Sequence, residues 1–189
     1  MNADLLVYQA KSFYNAYIAL DQLSRDDSDA LLLLFAPLIV NGAFSTELTL
    51  KAILAKNKIE YGKEHNLLIL FQMLPKSFQQ ELWTFLTEKA PEYANFERGL
   101  NELILLSNAF VDWRYAFEGN PVPAIESRFL AAFANAAIRT MFSHYNTDLR
   151  PVAKTESDNP IEQKFRDNRE KCKEINLKMI KKKTKEHQL

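Results

Sequence analysis

The sequence predicts an all-α protein, an up-and-down helical bundle followed by a charged C-terminal tail. Three observations carry that expectation. Only 4 glycines and 7 prolines occur in 189 residues, too few for the frequent turns of a strand-rich fold. Apolar residues recur at steps of three and four, the period of one helix face. Apolar types make up 47% of the chain, with 13 Phe, 7 Tyr and 2 Trp, enough to bury a core and to exclude global disorder.

The elements follow in order. Leu6, Ala10, Phe13, Tyr17 and Leu20 form the stripe of a first helix over 4–23. The polar, acidic stretch 24–29 is a turn with several candidate N-caps. A long second helix over 28–56 is apolar almost all round from Leu31 to Phe44, which places it centrally. Pro37 removes a backbone donor and should kink it, and Gly42 lets a neighbour approach closely. Gly62 marks a turn, and a short third helix covers 65–73, stopped by Pro75. A fourth spans 77–89, with Phe78, Leu82, Phe85 and Leu86, and ends at Pro91. A fifth spans 93–117 on the stripe Leu103, Leu106, Phe110, Trp113 and Phe117, closed by Gly119, Pro121 and Pro123. The sixth spans 125–149 and is rich in Ala and Phe, narrow enough for close packing. Residues 1–150 make one domain, and 151–189 a linker and charged tail. In that tail Phe165, Cys172, Ile175 and Met179 offer a thin seam for a solvated helix, with disorder the other reading.

The formal net charge is zero but unevenly spread: residues 165–189 hold nine Lys or Arg against four acids. The rest is therefore acidic, unlike a domain that coats nucleic acid through a basic surface. The lysine-rich segment KMIKKKTK reads as a solvated tail, with nucleic-acid or acidic-partner contact as the rival. A single cysteine, Cys172, cannot make an internal disulfide, which suits the cytoplasm. No signal peptide is visible, and the apolar run 30–40 is too short to span a bilayer. One Cys and three scattered His give no metal-ligand spacing, and isolated glycines form no phosphate loop, so neither metal nor cofactor is expected.

Four segments hold the candidate site residues. In NGAFSTELTLKAIL, Glu47 and Lys51 stand four apart with the acid first, the order that favours a helical ion pair. Glu47 also lies on the stripe of Phe44 and Leu54, where a carboxylate needs a partner from another helix. In EHNLLILF, His65 sits at a helix start, either bonded locally or carrying a proton or phosphate contact. In FVDWRYAFE, Trp113 and Phe117 aim at the core, flanked by Asp112 and Tyr115. Arg114 and Glu118 are four apart, so Arg114 is either clamped between helices against Glu47 or Glu118 or presented for binding. In AAIRTMFSHYNTD, Arg139 and His144 are separated by four residues. A five-residue step turns by about 140°, so the two should not share a helix face.

Taken in order, FSTELTLKAIL, HNLLILFQMLP and FVDWRYAFE resemble the HEPN superfamily, in particular its branch with a WRYxxE segment, over roughly residues 31–149. The resemblance implies a bundle of four or five core helices that homodimerises with a cleft at the interface. It also implies a bacterial defence or toxin–antitoxin setting, where many members are metal-independent ribonucleases. Their motif is an Arg followed after four to six residues by a His. Carrying that Arg onto Arg114 leaves Gly119, Asn120 and Pro121 where the His would stand. Arg139, Thr140 and His144 match the spacing further along.

Three functions follow as expectations. The first is a non-catalytic HEPN-like dimer that binds RNA, a nucleotide or a protein partner around Arg114. The second is a HEPN endoribonuclease using Arg139 and His144. The third is a helical immunity or adaptor protein. No membrane partner is expected.

Overall fold

The computed structural model describes residues 2–26, 28–115 and 124–145, the side chains of 26–33 apart. Among them are seven α-helices and no strand: α1 (Ala3–Asp26), α2 (Ser28–Lys56), α3 (Leu67–Met73), α4 (Lys76–Lys89), α5 (Phe96–Leu106), α6 (Ala109–Arg114) and α7 (Ser127–His144). A 3-10 turn, Pro91–Tyr93, links α4 to α5. The expected tail, the turn 119–123, and Phe117 and Glu118 lie outside the described residues.

α2 is the axis of the bundle because its polar groups are met inside the protein: Ser45, Thr46 and Thr49 donate to its own carbonyls and Lys51 to Glu47. From Leu38 to Leu54 it is buried nearly throughout. It continues through Pro37 without a break. α1 runs antiparallel to it, with Lys56 Nζ 2.6 Å from Asp4 at one end and the Phe13 ring edge-on to Phe44 further along. α7 runs parallel to α2: Gly42 lies against Leu130, and Asn57 donates to the Tyr145 hydroxyl at 2.7 Å. A Cβ on Gly42 would stand 3.0 Å from the Tyr17 ring and 3.1 Å from Leu130, so this glycine provides the close approach that its place in the sequence suggests. Four of the five alanines of α7 (Ala132, Ala134, Ala136 and Ala137) are buried, as a narrow helix in a tight crossing requires. Residues Leu34–Lys56 are long and apolar enough to cross a membrane by composition, and 78% of the apolar 18-residue window within them is buried inside the bundle. That burial is what a core helix shows.

The expected fifth helix is divided. α5 stops at Leu106 and α6 starts at Ala109. The break has a local cause. Ser107 turns its hydroxyl back on the Leu103 carbonyl, and its own carbonyl accepts the N–H of Leu67 at the head of α3. A carbonyl used across the fold is lost to the helical ladder. The start of the expected helix is also different, since residues 91–93 form the 3-10 turn and Asn95 caps α5 by accepting from Arg98 N–H.

Candidate functional site

The site is built at the end of α2. There Lys58 adopts φ 58°, and the Ile59 N–H returns to the Leu54 carbonyl at 2.9 Å. This left-handed ending satisfies the last carbonyls and reverses the chain. Gly62, at φ 55°, turns it again. The loop is then fixed by Glu64, whose Oε1 accepts the N–H groups of both His65 and Asn66. Asn66 caps α3 by accepting from Ile69 N–H and donates to the Asn108 side chain. His65 is thus set beside α2 by backbone bonds on either side of its ring.

The ring meets Glu47. His65 Nδ1 lies 2.9 Å from Glu47 Oε1, and Lys51 Nζ lies 2.7 Å from the same oxygen. Glu47 is 1% exposed and Lys51 8%, so the expected ion pair exists and is buried. The partner that the buried carboxylate required comes from a loop rather than from another helix. Glu47 Oε2 is also buried and has no hydrogen-bond partner among the described residues. Lys51 lies over the Tyr61 ring at 5.5 Å. Burial, and then the nearby Glu47 carboxylate, push the Tyr61 phenol above its ordinary range, so it stays protonated beside the acid. Tyr61 is a member of this cluster that sequence reasoning missed; no spacing pattern marks a loop tyrosine.

Arg114 is not part of it. The expectation that its guanidinium is clamped against Glu47 is overturned. α6 runs antiparallel to α2: Phe110 stacks on Phe44 with centroids 4.2 Å apart, and Trp113 meets Phe35 at 5.3 Å. From Phe110 to Arg114 the chain climbs one way, and from Phe44 to Glu47 it climbs the other. At 1.5 Å per residue, the two charged residues start about 10 Å apart along the axes. Arg114 is exposed. Its Cζ lies 4.7 Å from the Phe110 ring centroid and 4.6 Å from that of Tyr115, and Nη2 donates to the Tyr115 hydroxyl at 3.0 Å. Tyr115 is 40% exposed. Glu118, the other expected partner, lies outside the described residues.

Arg139 and His144 both reach α4, contrary to the expectation that a five-residue step separates their directions. Arg139 Nη1 pairs with Glu88 Oε2 at 3.0 Å and rests on the Phe85 ring, 3.9 Å from its centroid. His144 Nε2 is bonded to Glu81 Oε2, whose other oxygen accepts from the Ser143 hydroxyl, and the imidazole lies against Phe78. The two glutamates stand seven residues apart on one face of α4. Each basic side chain is therefore held by its own carboxylate, and the pair acts as a latch between α4 and α7. Glu81 and Glu88 were not singled out from sequence, because an antiparallel partner helix cannot be read from charge spacing alone.

Among the described residues no group of three or more His, Cys, Asp or Glu is placed to hold a metal ion. The class defined by the fold is an all-α helical bundle. No family model, curated protein or solved structure matches the chain.

Proposed function

We propose that the chain is a HEPN-like, homodimeric helical module that binds its ligand without cutting it. Its ligand is RNA or a nucleotide, held at Arg114, and its setting is a bacterial defence or toxin–antitoxin system in the cytoplasm. The observation that supports this reading most is the presentation of Arg114. Two aromatic rings, Phe110 and Tyr115, fix the direction of an exposed guanidinium. A planar fork of donors suits phosphate oxygens. Support for the absence of cleavage comes from Arg139 and His144, each engaged by a glutamate two turns from the other's. A protein ligand is the variant of this reading that a negative RNA titration would favour.

The alternative is a metal-independent ribonuclease using Arg139 and His144, and a second alternative is an immunity or adaptor protein. One titration of labelled single-stranded RNA, followed by fluorescence anisotropy and then by gel analysis, separates them. The module should bind and leave the RNA intact. Arg114→Ala should weaken binding at least about tenfold, equivalent to about 1.4 kcal/mol, with an unchanged melting temperature. Equal affinity for that variant would remove the reading. RNA cleavage abolished by His144→Ala would install the ribonuclease in its place.

A further inference from the structure

We propose that His65 is a phosphoryl-acceptor histidine, with Nε2 as the nucleophile and Glu47, itself paired with Lys51, as the countercharge behind the ring. The inference goes beyond the ligand reading and does not use Arg114.

A carboxylate can only accept a hydrogen bond, so the contact between Glu47 Oε1 and His65 Nδ1 places the ring hydrogen on Nδ1. In the neutral ring the lone pair is then on Nε2. That nitrogen has no hydrogen-bond partner among the described residues, and the side chain is 52% exposed. His144 is the opposite case: its Nε2 is taken by Glu81 and its ring is packed on Phe78. Of the two described imidazoles, only His65 offers Nε2 outward with a buried acid fixing the other nitrogen. An acid in that place sets both the tautomer and the ring orientation.

The surrounding charges suit transfer of a phosphoryl group. When Nε2 attacks phosphorus, the ring becomes formally cationic. Glu47, buried and with Oε2 unpartnered, is the anion positioned to stabilise it. Lys51 Nζ is bonded to the same oxygen as the ring, so the ammonium and imidazole are less than two hydrogen-bond lengths apart. Glu64 is already occupied by two backbone N–H groups. With a phosphoramidate donor the step balances as follows. The Nε2 lone pair forms the new N–P bond, the P–N bond of a donor whose nitrogen is already protonated to –NH3⁺ breaks, and ammonia leaves with that electron pair, while the Nδ1 hydrogen stays on the ring against Glu47.

The test is incubation of the full-length protein with potassium phosphoramidate, followed by peptide mapping at neutral pH. The expected result is an acid-labile gain of one phosphoryl group on His65, in preference to His144 and His187. His65→Gln should remove it. Glu47→Gln, checked for folding by circular dichroism, should slow it by about tenfold. Wild-type protein that stays unlabelled, or that labels on all three histidines at one rate, would overturn the proposal without any variant. Labelling of His65 that a folded Glu47→Gln variant leaves unchanged would overturn the role of the carboxylate and with it the proposal.

Discussion

Glu47 shows how far a residue's neighbours can be read from its sequence position. Its pairing with Lys51 follows from spacing alone, because side chains four apart on a helix share a face. Its need for a second partner was also legible, since it falls on an apolar stripe. The identity of that partner was not. His65 arrives through two left-handed residues, Lys58 and Gly62, and a Glu64 cap, none of which leaves a periodic signal. Of the two readings of Arg114, the clamp against Glu47 fails for a different reason: spacing gives a residue's face but not the direction in which its helix runs beside a neighbour. Tyr17 provides a residue-scale prediction. Burial, then the Asp21 carboxylate, raise its phenol well above the ordinary range, and its hydroxyl has no hydrogen-bond partner among the described residues. The folded state thus holds that proton more tightly than the unfolded chain. The resulting stability is complete below about pH 10, the unfolded value, and is lost as the pH rises past it. Melting temperatures measured upward from pH 9 should fall above pH 10, and Tyr17→Phe should flatten part of that fall. An equally steep fall in the variant would place the titration elsewhere.

Helices α1 and α4 were legible from apolar periodicity and α2 and α7 from apolar or Ala-rich composition, and the bounds of α2 match those expected from sequence. The divided fifth helix was not, although its apolar stripe continues from Leu103 through Phe110 across the break. Periodicity measures which face is apolar, whereas the break is decided by a carbonyl. Ser107 gives its oxygen to the head of α3, a contact between segments forty residues apart. α5 is held at its start by a different device. A Cβ on Gly99 would stand 2.6 Å from the Trp83 ring, which is already packed between Phe71 and Phe96. Gly99→Ala gains helix propensity but forces that ring to move. We expect a net loss of about 1–3 kcal/mol in a denaturant titration, the usual cost of overpacking. A variant as stable as the wild type would show that the indole has room to shift.

At the scale of the whole molecule, the helices divide their duties. α2 supplies the buried carboxylate, α4 and α7 lock each other through two acid–base pairs, and α5 and α6 carry exposed side chains. Phe96, Ile104 and Leu105 of α5 are each about half exposed. Under the proposed homodimer these side chains are the apolar surface to be covered, so Ile104→Asp should shift a light-scattering mass from dimer to monomer. A wild-type monomer at micromolar concentration would remove the dimer from the proposal. The whole account rests on one arrangement: a buried carboxylate shared by Lys51 and His65, with Arg114 left at the surface. Unfolding free energies of Glu47→Gln, Lys51→Met and Arg114→Ala, singly and in pairs, test it most directly. Lys51→Met should cost about 3 kcal/mol alone, because it strips a buried acid of its cation, and far less once Glu47 is Gln. Arg114→Ala should change stability by no more than about 0.5 kcal/mol and add independently to Glu47→Gln. Additive losses for Glu47 and Lys51, or a strong coupling between Glu47 and Arg114, would contradict it.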